Sequence, residues 1–481
     1  MKLINPLVIV YIISTILLIE AVSFLLCLPV AFIYNESPGP FLWSSLITFI
    51  ISASLFMISR KASSEKVQPR EGFLSVSLAW LVFSCAGTLP YLLGGSISSF
   101  VDAFFESASG FTTTGATIFG DVESLPYSIL FWRSLTHWIG GLGIIVFVII
   151  ILPTLGITAS QLLPLESSLK EKTHPKTKSV GLRLLYVYLG LTLVEVMLLW
   201  MGDMGLFESI CHTFGTVSTG GFSVKNNSIE GYSPYSQTVI IIFMFLSGVS
   251  FVVYYYMVKL NFRKVKHNEE LWFFLGTTLF FGTLVTSVIL SGTTKPVGEA
   301  VREGFFQVVS IMTTTGFVSA DYLYWPSAGL TIIFLLLFSG ACTGSTTGGI
   351  KMVRHLIITK NIRNTFTKLV HPNVISQIRL NNKPLEEKAN ISVMSFLILY
   401  FFIFLAGTVF IIILGSDPIT AASGVASSLG NVGPALGSLG PMFNYSHMPE
   451  ASKLIYSLLM IIGRLEINTF FILLSRSFWR L

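Results

Sequence analysis

The stretch "SSFVDAFFESASGFTTTGAT", residues 98–117, decides the fold. It opens on an acidic, semi-apolar run, ends in threonine and glycine, and is followed by a long apolar run at 128–152. The dozen residues before the threonines are too few to cross about 30 Å of hydrocarbon, yet long enough to enter a membrane and stop halfway. The same construction returns as "DMGLFESICHTFGTVSTGGFS" at 203–223, "GEAVREGFFQVVSIMTTTGFVS" at 298–319 and "SDPITAASGVASSLGNVGPAL" at 416–436. Its cluster glycines read as Gly115, Gly220, Gly316 and Gly433, spaced by 105, 96 and 117 residues. Four copies of a unit near 100 residues make an internal repeat. Each unit reads as span, short re-entrant helix, Thr/Gly loop, span.

The surroundings are those of a membrane protein. Of 481 residues, 52% are hydrophobic and only 11% charged, against roughly 25% charged in soluble domains. Apolar runs at 7–33, 40–58, 73–95, 128–152, 183–201, 237–258, 271–291, 326–342, 391–414 and 454–475 give about ten transmembrane helices beside the four re-entrant ones. The runs do not alternate, which excludes a β-barrel. The first is too long for a signal-peptide core and reads as a retained span. The fold class is therefore an all-α polytopic membrane protein: four pseudo-symmetric span–pore helix–span repeats around one pore, plus an amino-terminal pair of spans. The boundaries fall at 1–67 for that pair, then 68–160, 175–262, 268–372 and 386–481 for the repeats.

The net charge is +6, with Lys and Arg gathered in 60–70, 170–183, 259–266 and 351–388, while the alternate connections are acidic. The positive-inside rule makes the basic loops cytoplasmic, with both termini, marked by Lys2 and by Arg476 and Arg480, on that side. Basic residues that flank spans do not form the continuous patch that nucleic acid requires. Cys27, Cys85, Cys211 and Cys342 all lie in or beside apolar segments and read as small buried residues, not as a disulfide or metal set.

Non-helical backbone survives at membrane depth only where protein buries it or a wet cavity meets it. Four Thr/Gly loops around one axis would present carbonyl and hydroxyl oxygens in place of a cation's water shell. Glycine permits the backbone angles that turn carbonyls inward. The short helices would aim their negative C-terminal ends at the same place. Oxygen-only ligation suits a hard monovalent cation. The bland alternative is close helix packing by small residues; four copies, each after a half-length helix, favour a filter.

Two further features stand out. "GACTGSTTGGIK", residues 340–351, interrupts the apolar run at 326–342. A phosphate-binding loop requires GxxxxGK[ST] after a strand. Here Ile350 takes the lysine position, Lys351 comes one residue late and Met352 replaces Ser/Thr. A broken helix lying across a cavity fits better. Arg464 lies 11 residues after Lys453 and 15 before Trp479, roughly 16 and 22 Å from the two helix ends. It reads as a positive charge opposing cation passage or as a partner of Glu466 or Glu195. Glu195 and Glu20 read as buried acids; a proton relay at Glu195 would make the chain a symporter, and a proton- or sodium-coupled symporter is the alternative reading of function. Arg133, His137 and Trp138 read as packing residues.

"GFTTTGAT", "FWRSLTHWIGGLGII", "TVSTGGFS", "MTTTGF", "GNVGP" and "CTGSTTGGIK" together resemble the Trk/Ktr/HKT superfamily of potassium transporters. The extra amino-terminal spans resemble its TrkH type. The resemblance implies a transporter and not an enzyme, with potassium as the transported and filter-bound ion and no organic cofactor. It implies a homodimer in the bacterial inner membrane, lying in the lipid bilayer. It also implies a cytoplasmic regulatory ring of the TrkA type, whose Rossmann-like domains bind nucleotides. The filter carries over to Thr112, Thr113, Thr114 and Gly115; to Val217, Ser218, Thr219 and Gly220; to Thr313, Thr314, Thr315 and Gly316; and to Gly430, Asn431, Val432 and Gly433. The last set has no threonine, so only carbonyl ligation is expected there. With one common glycine per repeat, potassium is preferred and sodium not wholly excluded. The resemblance also implies an intramembrane gating loop at 340–350, with Cys342, Thr343, Gly344, Ser345, Thr346, Thr347, Gly348 and Gly349, and a gating role for Arg464.

Overall fold

A computed structural model describes residues 4–60, 68–146, 174–374 and 377–479. Lys2, Arg480, most of the basic cluster at 60–70, the start of that at 170–183 and the end of the apolar run at 128–152 lie outside the described residues.

Helices dominate. In order they are α1 (Pro6–Leu25), α2 (Leu28–Ile33), α3 (Gly39–Ser59), α4 (Pro69–Ala86), α5 (Leu89–Leu93), α6 (Phe100–Phe111), α7 (Tyr127–Val146) and α8 (His174–Trp200). Then follow α9 (Leu206–Val217), α10 (Pro234–Gly248), α11 (Phe251–Val258), α12 (Phe262–Lys266), α13 (Glu269–Gly292), α14 (Val297–Met312), α15 (Ser327–Leu336) and α16 (Met352–Val370). The chain ends with α17 (Glu387–Ile413), α18 (Pro418–Gly430), α19 (Glu450–Arg464), α20 (Asn468–Leu474) and α21 (Arg476–Trp479). A small antiparallel hairpin, β1 (Arg379–Leu380) with β2 (Lys383–Pro384), sits between α16 and α17.

The amino-terminal pair is held by close backbone approach. Ser45 Oγ donates to the Ala21 carbonyl at 2.8 Å and Ser52 Oγ to that of Ser14 at 2.7 Å, tying α3 along α1. Small hydroxyl residues suit such contacts where no water competes. The outer surface is apolar: Ile33, Trp43, Tyr186, Phe402 and Leu405 are exposed, as lipid-facing residues are. Beside its hydrophobic clusters, the interior buries many serine and threonine residues, which soluble domains mostly leave exposed.

The short helices α6, α9, α14 and α18 have 12, 12, 16 and 13 residues. At 1.5 Å per residue they reach about 18–24 Å and stop short of a full crossing. Each lies against the long helix before it: α4, α8, α13 and α17. The helices that follow reach onward, so that α7 touches α9, α10 touches α14 and α19 returns to α6. Acids mark the N-terminal ends: Asp102, Glu208 and Glu299 in first turns, and Asp417 as the N-cap that accepts from Thr420 N at 3.0 Å. There they complement the positive end of the helix dipole.

Among the described residues six helices are long and apolar enough to cross a membrane, or eight if two bent pairs count as one span each. The sequence reading counted about ten. The run at 326–342 yields only the ten residues of α15 before the chain leaves the helix at the Gly/Ser/Thr stretch. The run at 237–258 turns by 94° between α10 and α11, and that at 454–475 by 108° between α19 and α20. The α10/α11 break leaves backbone groups that find partners in the 340–351 stretch. The Gly248 carbonyl accepts from Cys342 N at 3.0 Å, and Phe251 N donates to the Gly344 carbonyl at 3.0 Å. Broken backbone is thus satisfied inside the protein.

Candidate functional site

After each short helix the chain makes the same turn. One residue other than glycine takes a left-handed conformation: Thr113, Thr219, Thr314 and Asn431, with φ between 51° and 58°. Two residues later a glycine does so: Gly115, Gly221, Gly316 and Gly433, with φ from 81° to 102°. Between them, the N–H groups of Thr114, Gly220, Thr315 and Val432 donate to carbonyls five residues back: Ser109, Gly215, Ser310 and Ser427, at 2.7–2.9 Å.

These bonds set the register and correct it in the second unit. The sequence reading aligned Val217–Gly220, whereas the equivalent residues are Ser218, Thr219, Gly220 and Gly221. Two adjacent glycines in "TVSTGGFS" hide the register, and only the backbone angle separates them. The hydroxyls agree with the shift. Thr112 donates to the Ala108 carbonyl at 2.6 Å, Ser218 to that of Phe214 at 2.5 Å and Thr313 to that of Val309 at 2.7 Å. Val217 closes α9.

The four turns meet in a cycle. A Cβ on Gly115 would strike the Gly220 carbonyl oxygen, and one on Gly221 that of Thr315. One on Gly316 would strike Val432, and one on Gly433 would strike Thr114, which returns to the first unit. Each glycine rests on the next loop's carbonyl, where no side chain fits. The threonines and Asn431 are fully buried. A cavity on one side of the cycle is lined by all four left-handed glycines, with Arg133, Phe222 and Pro434 in its wall. Arg133 Nε pairs with Glu106 Oε1 at 2.8 Å, and its other nitrogens reach the Ser223 carbonyl and Thr117 Oγ1, each at 3.2 Å. This buried brace joins the first loop to the second. Sequence reasoning took Arg133 for packing alone; an arginine in an apolar helix 27 residues from an acid in a short helix was the available signal.

The units differ in their side chains. The Thr112 and Thr114 hydroxyls pair at 2.8 Å, as do those of Thr313 and Thr315. In the fourth unit Asn431 Nδ2 donates instead to Thr114 Oγ1 at 3.0 Å and to the Met460 carbonyl at 2.8 Å. His137 Nδ1 meets the Gly110 carbonyl at 2.7 Å and its ring stacks on Phe222.

The 340–351 stretch lies on the other side of the cycle. Gly340 N donates to the Ile350 carbonyl at 2.9 Å and Met352 N to that of Ala341 at 3.0 Å, closing its neck. Gly344 and Gly349 turn through positive φ. Within it, Ser345 Oγ donates to the Cys342 carbonyl at 2.6 Å and meets Thr347 Oγ1 at 2.9 Å. Its apex touches three of the four turns. Thr346 Oγ1 donates to the Val217 carbonyl at 3.2 Å and accepts from Thr219 Oγ1 at 3.3 Å. Gly348 N donates to Thr314 Oγ1 at 2.8 Å, and a Cβ on Gly348 would meet the Gly430 carbonyl and the Asn431 side chain. Two cations grip its carbonyls: Arg464 donates to Thr346 O at 2.7 Å, and Lys351 donates to Thr347 O.

Arg464 is only 5% exposed and, among the described residues, forms no ion pair. The sequence reading offered Glu466 or Glu195 as its partner. Glu466 instead pairs with Arg354, which lies over the Phe396 ring. Arg464 therefore points its charge at the loop backbone.

Broken helices, a buried cycle of backbone carbonyls and an apolar outer surface define the class: a multi-pass helical membrane protein of the ion-transport kind. The family model described as TrkH, cation transport protein, matches residues 40–480, and the chain belongs to that family. It is similar to the Trk system potassium uptake protein TrkH of Escherichia coli (strain K12), with 35% identity over 460 residues, 94% of each chain. It is also similar to the protein of that name from Vibrio parahaemolyticus, with 33% identity over 98% of this chain and 99% of that one. The crystal structure of the potassium transporter TrkH from Vibrio parahaemolyticus matches with a TM-score of 0.91 at 30% identity, covering 99% of this chain and 100% of that one. The family is one of transporters, not of enzymes.

Proposed function

We propose that this chain takes up potassium across the bacterial inner membrane through one pore formed by four pseudo-symmetric units, at 68–160, 175–262, 268–372 and 386–481, behind a two-span extension at 1–67. About ten helices span the bilayer and both termini face the cytoplasm. The filter comprises Thr112–Gly115, Ser218–Gly221, Thr313–Gly316 and Gly430–Gly433, with carbonyl oxygens as the ligands common to all four. The stretch 340–350 closes the path on the inner side, and Arg464 holds it there and opposes cations. The protein works as a homodimer under a TrkA-type cytoplasmic ring that binds nucleotides.

The observation that carries this reading is the closed cycle of four left-handed glycines, each on the next loop's carbonyl. A fixed ring of carbonyl dipoles can replace the water shell of a dehydrated cation. The relatives' printed names, which say potassium uptake, support the choice of ion. The test is ion flux in proteoliposomes with potassium, rubidium, sodium and lithium. Potassium and rubidium should lead, and equal flux for all four would refute the filter. A reversal potential that follows the potassium gradient alone supports a channel-like path; dependence on a proton gradient would replace it with coupled symport.

A further inference from the structure

Glu270 lies in the first turn of α13, an element apart from both limbs of the 340–351 stretch. Its Oε1 accepts from Thr343 N at 2.6 Å, from Thr343 Oγ1 at 3.0 Å and from Val353 N at 3.2 Å. Thr343 belongs to the first limb. Val353 belongs to the first turn of α16, just past the second limb. One carboxylate oxygen therefore joins the loop's entry to the helix that leaves it. The site suits an acid: the first turn of a helix leaves N–H groups without partners inside the helix, and its dipole favours negative charge. Bonds of this charged kind are roughly twice as strong as neutral ones.

The same turn of α13 grips α16 again further along. Glu269 pairs with Lys360, whose ammonium also donates to the Arg379 carbonyl at 2.6 Å, and Glu269 N donates to Asn381 Oδ1 at 2.9 Å. The basic residues nearby are committed elsewhere: Lys351 to Thr347, and Arg354 to Glu466. Other holds on the loop include the Gly248 carbonyl, Phe251 N, Thr314 and Arg464, none of which lies on α16, while Met352, the first residue of α16, donates its N–H to the Ala341 carbonyl at the loop's neck.

We propose that Glu270 is a positioning residue that couples the loop to α16, so that a displacement of α16 is passed through this carboxylate to Thr343. The inference rests on the reading of the loop as a gate. With the carboxylate gone, Thr343 N is buried without a partner when the loop is closed, and the closed position loses its advantage.

The test uses the full chain in proteoliposomes and two readouts. One is basal potassium flux. The other is labelling by a membrane-impermeant maleimide of a single cysteine introduced as Ser345→Cys, with Cys27, Cys85, Cys211 and Cys342 replaced by alanine. Ser345 is buried in the closed loop, so labelling reports its release. Glu270→Ala should raise both readouts by about tenfold, ~1.4 kcal/mol. Glu270→Gln should fall between it and the parent, because its amide oxygen still accepts one of the bonds; it carries the test if the alanine variant does not fold. Raised labelling with unchanged flux would uphold the coupling and refute the gate. Parent-level flux and labelling in both variants, beside raised flux in Arg464→Ala, would overturn the coupling and leave the gate standing.

Discussion

The Thr/Gly turns and the 340–351 stretch have nearly the same composition and the same problem, non-helical backbone within a membrane fold. They solve it differently. The turns are tied from within: each N–H reaches a carbonyl five residues back, and Thr112, Ser218 and Thr313 bond the last turn of their own helix. Such bonds form with the helix and break only when it unravels. The 340–351 stretch has bonds across its own neck and apex but is anchored from outside, by the Gly248 carbonyl, Phe251 N, Glu270, Arg464 and Thr314, most of them more than 70 residues away. Those bonds can be exchanged one at a time without unfolding any helix. Composition marks both as irregular; the origin of the bonds separates turns held mainly by their own helices from a stretch held mainly by distant elements.

The largest expected effect breaks the scaffold. At Gly316 a Cβ adds left-handed strain of roughly 1–2 kcal/mol and meets the Val432 carbonyl. Gly316→Ala should lower potassium flux by about 100-fold, and flux above half the parent level would sink the cycle. The second unit sharpens the register. A Cβ on Gly221 meets the Thr315 carbonyl, whereas one on Gly220 meets the His137 ring. Added to Gly220→Ala, His137→Ala should restore flux; added to Gly221→Ala it should not. Next in size, Arg464→Ala frees the Thr346 carbonyl from its charged donor and should raise basal flux by about tenfold, ~1.4 kcal/mol. Unchanged flux would remove Arg464 from the closed state.

The scaffold was largely legible in the sequence because it demands particular residues at fixed places: a helix too short to cross, then threonine and glycine. The register of the second unit was not, since Gly220 and Gly221 are the same letter and φ leaves no mark on composition. Nor were the bends. Hydropathy reports the length of an apolar run and not its direction, so 237–258 reads as one span although Val249 and Ser250 turn it toward Gly344. Arg464 drew attention as a deep charge, yet its partner proved to be a backbone carbonyl, which every residue carries. Glu466 looked close in sequence, but it lies beyond the end of α19, in the break before α20, where a left-handed φ of 53° carries it to Arg354. Glu270 escaped because its contacts lie 73 and 83 residues ahead.

Thr346→Val should act like Arg464→Ala but more weakly. It removes two long hydrogen bonds, to Val217 O and from Thr219, each worth about 1 kcal/mol or less. A two- to fivefold rise in basal flux is expected; a fall would show that Thr346 serves the filter instead of the closed loop.

The smallest expected effect separates stability from gating. Thr420, through its side chain and its N–H, holds the Asp417 carboxyl below the usual carboxylate range. A depressed folded-state value means the carboxylate stabilises the fold above its unfolded value, near 3.9, and that this contribution is lost as pH falls through the lower folded value. Asp417→Asn keeps a capable N-cap but drops the charge at the helix N-terminus. Its thermal midpoint should lie slightly below the parent's at pH 7 and draw level with it only as pH falls below the depressed folded value, with basal flux unchanged at pH 7. The cap belongs to a helix tied from within, so weakening it should loosen α18 without moving the 340–351 stretch. A rise in basal flux from this variant would mean that the short helices themselves take part in opening, and the division between fixed turns and movable loop would fall.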